Sequence, residues 1–286
     1  MNPNKTIRNL IVFCFVALTI GWLGVWLDGR LPDQEEEETL GMAIWLVVPL
    51  IVVILLRTFF GDGWKDAGLK PNFTGNLLWY GIAFLIFPVI SILSLSIGAV
   101  TGWMDFSGFD ISSYLSVFAS LFVVNIFKNV FEESVWRGYL TVKLIRLRLS
   151  DLSIYLIAGL VWGLWHLPYY LEFLPEEAMY TVLPVPRIWF AVIAIGNMVV
   201  WTIMFTELFR LTGSVWVVVL LHAVEDAVIN HLVIDGYVVI SAGKEILISP
   251  ICGIIPTAFY LLIGLMLRKQ RIQKQKTQSI DLETLS

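Results

Sequence analysis

Eight apolar runs, near residues 8–27, 40–58, 77–100, 113–135, 152–171, 188–209, 214–234 and 246–267, constrain this chain more than any other feature. Most approach or exceed the roughly 20 residues that an α-helix needs to cross a hydrocarbon core. In lipid, an isolated segment can satisfy its backbone polar groups only by coiling. The expected fold class is therefore all-α: a polytopic membrane helical bundle of about eight transmembrane helices. Composition agrees, with 58% hydrophobic and 15% charged residues, where soluble domains carry roughly 25% charged. The lipid bilayer is an expected partner. Nucleic acid is not, because no basic face interleaved with aromatics is present.

The first run, LIVFCFVALTIGWLGVWL, is too long for the apolar part of a signal peptide, and no A-x-A-like site follows it. It reads as an uncleaved first span. Pro88 is expected to kink the third span. Cys14 and Cys252 both fall in apolar runs and read as buried thiols, not as a disulfide or a zinc site.

The net charge of −4 hides a strong sorting. With the N-terminus cytoplasmic, fourteen lysines and arginines fall on the inside and three, Arg30, Arg187 and Lys244, on the outside. The acidic stretches DGRLPDQEEEET and LEFLPEEAMY fall outside. The positive-inside rule then places both termini in the cytoplasm of a multi-pass protein of the plasma membrane. No extramembrane domain is expected. The EEEE run (35–38) reads as a solvated loop, and the tail RKQRIQKQKTQSIDLETLS as a topology anchor with a frayed end. Three units follow: N-terminal spans (1–112), a core holding the polar groups (113–234), and a last span with a basic tail (235–286).

Ionisable side chains inside spans are costly and mark candidate sites. FKNVFEESVWRGYL places Glu133 and Arg137 at i and i+4, the favourable order for a helical ion pair. Asn125, Asn129, Glu132 and Trp136 share a stripe, so Glu132 faces away from Arg137, and Lys128 lies one turn before it. GLVWGLWHLPYY carries His166, with Pro168 loosening the backbone two residues later. In TGSVWVVVLLHAVEDAVINH, Gly213 and Ser214 read as a helix break and an N-cap. His222 and Asp226 then share one helix face, and Glu225 precedes Asp226. Asn230 and His231 lie nearer the outer end and read as interfacial. A glutamate, two histidines and an aspartate on three spans suit a buried hydrolytic site, with a carboxylate taking a proton from water and donors stabilising an oxyanion. The same set, Glu132, His166, His222 and Asp226, could instead ligate a divalent metal such as zinc. By helix rise, Glu132, His166 and His222 lie at different depths in the spans as drawn, and meet only if spans tilt or their ends shift. A cavity open to the cytoplasmic half is expected.

The three clusters, in this order, resemble the CPBP family of CAAX proteases and bacteriocin-processing (Abi) intramembrane proteases. E-E-x-x-x-R is matched by Glu132, Glu133 and Arg137. F-x-x-x-H is met by Trp162 and His166, with Trp for Phe. H-x-x-x-N is met by His222 and Asp226, with Asp for Asn. The resemblance covers about 113–234. It implies an intramembrane endopeptidase acting on a peptide or membrane-protein substrate between the fourth, fifth and seventh spans. Glu132 would be the base, His166 and His222 would hold the water and the scissile carbonyl, and Asp226 would stand where the family's asparagine donates to the oxyanion. An ionised Asp cannot donate. That departure favours a metal site, or a runner-up reading as a catalytically weak scaffold or bacteriocin-immunity protein. A proton-coupled transporter is a third reading, disfavoured by the absence of visible repeats.

Overall fold

The structure, a computed structural model, describes residues 3–31, 34 and 39–284. The EEEE run (35–38) lies outside the described residues. Among the described residues, seven helices are long and apolar enough to cross a membrane. In chain order they are α1 (Pro3–Asp28), α2 (Leu40–Thr58), α3 (Leu77–Thr101), α4 (Ile111–Arg146) and α5 (Asp151–Phe173), then, after the short α6 (Glu176–Val182), α7 (Arg187–Thr212) and α8 (Val215–Ile234). The chain is an all-α polytopic bundle. Its small β-element pairs β1 (Met104–Asp105) antiparallel with β2 (Val239–Ile240), tying the α3–α4 connection to the loop after α8.

The eighth apolar run is not one helix. A short α9 (Glu245–Ile248) stops before Pro250 and Gly253, and α10 (Ile254–Thr284) begins afresh. The apolar part of α10, to Leu267, rises only about 21 Å, less than the ~30 Å of a hydrocarbon core. It still runs beside α7 and in the same direction. Thr257 Oγ1 meets Asn197 Oδ1 at 2.9 Å near one end, and Lys274 Nζ meets the Leu211 carbonyl at 3.2 Å near the other. Nor is the tail frayed where it leaves the apolar part. Arg268 and Arg271 donate to Asp151 at 2.8 and 2.7 Å, and Arg271 reaches Glu207 at 2.5 Å.

Local chemistry sets the helix ends. Thr39, Asp110, Ser150 and Ser214 each cap a following helix with a side-chain oxygen. Gly213 closes α7 at φ 63°, a left-handed turn open to glycine, so the break before α8 lies where the sequence places it. α3 continues through Pro88 without interruption. α8 is sheathed by protein for most of its length, whereas the first half of α4 packs against little. α5 approaches α7 closely at Gly159, where a Cβ would meet the Val199 Cα at 2.8 Å.

α4 runs past the expected end at 135, because its polar continuation finds buried partners. Arg57 pairs with Asp66 at 2.7 Å and donates to the Gly138 carbonyl. Lys143 and Arg146 reach the same Asp66 at 3.3 and 2.8 Å. Tyr139 and Asn9 donate to Asp62 at 2.7 and 3.1 Å. Asp66, in the connection between α2 and α3, is raised by burial but lowered more by the Arg57 hydrogen bond and by Arg57, Lys143 and Arg146, and so lies below its ordinary value. This longer α4 removes the depth conflict between Glu132 and His166. Glu132 lies about 21 Å from the Arg146 end, and His166 about 22 Å from Asp151.

Candidate active site

Each of the three motifs sits beside a stretch of π-helix: Trp136–Thr141 after Glu132 and Glu133, Tyr169–Phe173 after His166, and Asp226–Asn230 at the third motif. Such widened turns free backbone groups and redirect side chains, and they are frequent at functional sites. After His166 the cause is Pro168, which has no N–H to continue the ladder.

Glu132 and Glu133 point to different places, as successive helical residues must. Glu133 is fully buried. Its Oε1 takes Arg137 at 2.9 Å and the His222 Nδ1 at 2.8 Å. The Arg137 guanidinium rests between the rings of Trp162 and Phe205, at 4.0 and 4.2 Å. The Trp at the second motif's Phe position is thus the larger of the two platforms under Arg137. A carboxylate can only accept, so His222 carries its proton on Nδ1 and turns Nε2 away from Glu133. His166 is held alike: its Nδ1 lies 3.0 Å from the Trp162 carbonyl, which leaves Nε2 as the free nitrogen.

Glu132 instead lines a cavity of about 670 Å³ together with Lys128, Trp162, His166, His222, Glu225, Asp226 and Asn230. Its Oε1 lies 3.6 Å from Lys128 Nζ, and its buried Oε2 has no hydrogen-bond partner among the described residues. Asp226 is an acceptor on both oxygens. Oδ2 takes Lys128 at 3.1 Å and Asn129 at 2.8 Å, and Oδ1 takes Asn230 at 3.4 Å. Lys128 is the one cation among the described residues on the cavity wall.

The structure therefore brings Glu132, His166, His222 and Asp226 to one cavity, with Glu133 and Arg137 behind it. It also corrects several expectations. Glu225 faces the cavity too, with its Oε2 3.9 Å from His222 Nε2; at i+3 it shares the His222 face as well as Asp226 does. Asn230 and His231 are not interfacial. Asn230 bonds Asp226, and the buried His231 stacks on Tyr114 at 4.5 Å. The cavity wall runs through Thr39, Met42, Ala178, Val182, Phe190, Ile234 and Cys252. All of these belong to the half of the bundle opposite the basic helix ends. α2 also supplies wall residues, which the motif spans alone did not foretell.

Among the described residues, one group brings candidate metal-ligand atoms within 4.8 Å of one another: His222, Glu225 and Asp226. Glu132 and His166, expected in a metal set, are not in it. The Lys128 ammonium already lies 3.1 Å from Asp226. A divalent ion held by this group would sit against that like charge, so these donors as arranged do not fit a catalytic metal.

No curated protein matches the chain. Residues 114–228, from the first half of α4 into α8, match the family model described as Type II CAAX prenyl endopeptidase Rce1-like. The matched segment contains all six motif residues, and over it this integral membrane protein is similar to the CPBP/CAAX protease family.

Proposed function

We propose that the chain is an intramembrane endopeptidase that hydrolyses a peptide bond with water activated by Glu132. The observation that carries this reading is the division of labour between adjacent carboxylates. Each keeps an unpartnered Oε2, but Glu133 lies behind the cavity with its Oε1 held by Arg137 and His222, while Glu132 lines it. A base must have a free lone pair where the water sits. Glu132 takes a proton from water, and the water oxygen attacks the carbonyl carbon. The Nε2 atoms of His166 and His222 offer acceptors for the second water proton. On collapse, the departing amine takes the proton held by Glu132. Because the metal-ligand group faces an ammonium, the hydrolysis proposed here is of the glutamate type, and EDTA is expected to leave it unchanged.

Two observations support a sidedness. The cavity wall runs through Thr39, Val182 and Ile234, at helix ends opposite the basic ones, and basic ends commonly face the cytoplasm. With both termini cytoplasmic, a peptide or a membrane-protein segment enters from the outer half of the bilayer. The scaffold or immunity reading remains the competitor, because Asp226 cannot donate. Glu132→Gln separates them. It keeps shape and removes the base, so cleavage of a quenched fluorescent CAAX peptide, farnesylated or not, should fall by roughly 10²–10⁴-fold with unchanged folding. No cleavage by the wild type sinks the peptidase reading, and equal cleavage by variant and wild type sinks Glu132 as the base.

A further inference from the structure

Resting on that peptidase reading, we propose that Lys128 is a catalytic residue: its ammonium binds the oxyanion in place of the amide that an asparagine at 226 would supply. Two observations converge. Asp226 is built as an acceptor, receiving Lys128, Asn129 and Asn230 on its two oxygens. Lys128, in turn, spends one N–H on Asp226 at 3.1 Å, and its 3.6 Å contact with Glu132 is ionic, too long for a hydrogen bond. Two of its three N–H groups have no acceptor among the described residues, and the side chain is 37% exposed, on the cavity wall.

The other candidates are worse placed. With Nδ1–H spent on the Trp162 carbonyl and on Glu133, an uncharged His166 or His222 ring presents an acceptor, not a donor, at Nε2. The indole N–H groups of Trp162 and Trp201 are unpaired too, but they carry no positive charge to meet the oxyanion. Asn129 and Asn230 are turned to Asp226. The ammonium alone combines positive charge, spare donors and adjacency to the base.

The step balances. Glu132 removes a proton as the water oxygen bonds to the carbonyl carbon, and the C=O π pair moves to oxygen. Lys128 donates a hydrogen bond to that oxygen without giving up its proton. The pair returns as the C–N bond breaks, and the amine leaves with the proton from Glu132. Asp226 acts as the anchor that aims Lys128, so the exchange of Asn for Asp and the lysine at 128 form one device.

The test uses the full chain in proteoliposomes and the same farnesylated and unprenylated CAAX peptides. A phosphinic analogue of the cleaved peptide serves as inhibitor, because its P–O⁻ mimics the oxyanion. Lys128→Met should lower kcat by roughly 10²–10³-fold, the usual loss for one oxyanion donor. Its KM should stay within about threefold while the inhibitor constant rises in step with the kcat loss. Lys128→Arg keeps the countercharge for Asp226 and displaces the donor, so it should fold and still lose at least about tenfold in kcat. If Lys128 merely neutralised Asp226, Lys128→Arg would match wild type, or the inhibitor constant and KM would move together. Either result overturns the proposal. A dead Glu132→Gln with a fully active Lys128→Met overturns Lys128 alone. A wild type that cleaves neither peptide overturns the peptidase reading and this inference with it, and an active Glu132→Gln overturns Glu132 as the base and so the step written here.

Discussion

Replacing Glu133 by Gln should unfold what replacing Glu132 only disarms. Glu133 and Arg137 are 0% and 1% exposed, and their charges meet at 2.9 Å. At an effective dielectric of about 20, the attraction at that separation is about 6 kcal/mol, a ceiling for what the pair contributes. Removing one member of a buried pair leaves the other uncompensated and costs about 3–5 kcal/mol. The rings of Trp162 and Phe205 remain under Arg137 in the variant, so the lower end, about 3 kcal/mol, is expected. Glutamine offers one neutral acceptor where the carboxylate offered two charged ones, so His222 is held more weakly and the surviving folded molecules should lose activity. Glu132→Gln differs. Lys128 keeps Asp226 at 3.1 Å, and the lost ionic contact involves a partly exposed lysine worth about 1 kcal/mol or less. Unfolding both variants in mixed micelles of SDS and a mild detergent measures the difference directly. Equal unfolding free energies for Glu132→Gln and Glu133→Gln would refute the division of roles drawn here.

Three further outcomes can be measured in the same system. Gly159→Ala places a Cβ 2.8 Å from the Val199 backbone and should cost about 1–3 kcal/mol by prising α5 from α7. Arg271→Met leaves the fully buried Glu207 with Tyr155 at 2.5 Å and Arg210 at 3.4 Å, so α10 should become cleavable by trypsin before the rest of the bundle loosens. Asp66 titrates below its ordinary 3.8 when folded. Its contribution is therefore complete above pH 3.8 and lost as pH falls through the folded value. The stability gap between wild type and Asp66→Asn should close progressively below that pH, and a gap that widens in acid would contradict the assigned partners.

The bundle and the motif faces were legible because they depend on short-range periodicity. An i, i+4 relation is enough to foresee the Glu133–Arg137 pair, and one glycine with one serine marks the start of α8. The break in the eighth run was legible too, from Pro250 and Gly253, but a continuous hydropathy reading passed over it. What sequence could not supply was pairing between distant segments. WRGYLTVKLIR looks like a polar exit from the membrane, yet Arg137 and Lys143 are buried because Glu133, Asp62 and Asp66 meet them. Lys128 was seen as a neighbour of Glu132, but its stronger partner, Asp226, lies 98 positions away. Glu225 was eclipsed by the i+4 relation of its neighbour, although i+3 serves the same face.

The π-turns change how such a helix can be read. One extra residue offsets everything downstream by about 100° of rotation. α4 is thus two helices in different phase: one presents ionisable groups, the other continues in the register its packing requires. Trp136–Thr141 shows this, with chemistry upstream and the Asp62–Asp66 clamp downstream. A hydrophobic pattern that loses step immediately after an intramembrane acid or histidine is accordingly a mark of function in its own right. Deleting the one surplus residue, with no change to any catalytic side chain, would turn the clamp face toward lipid.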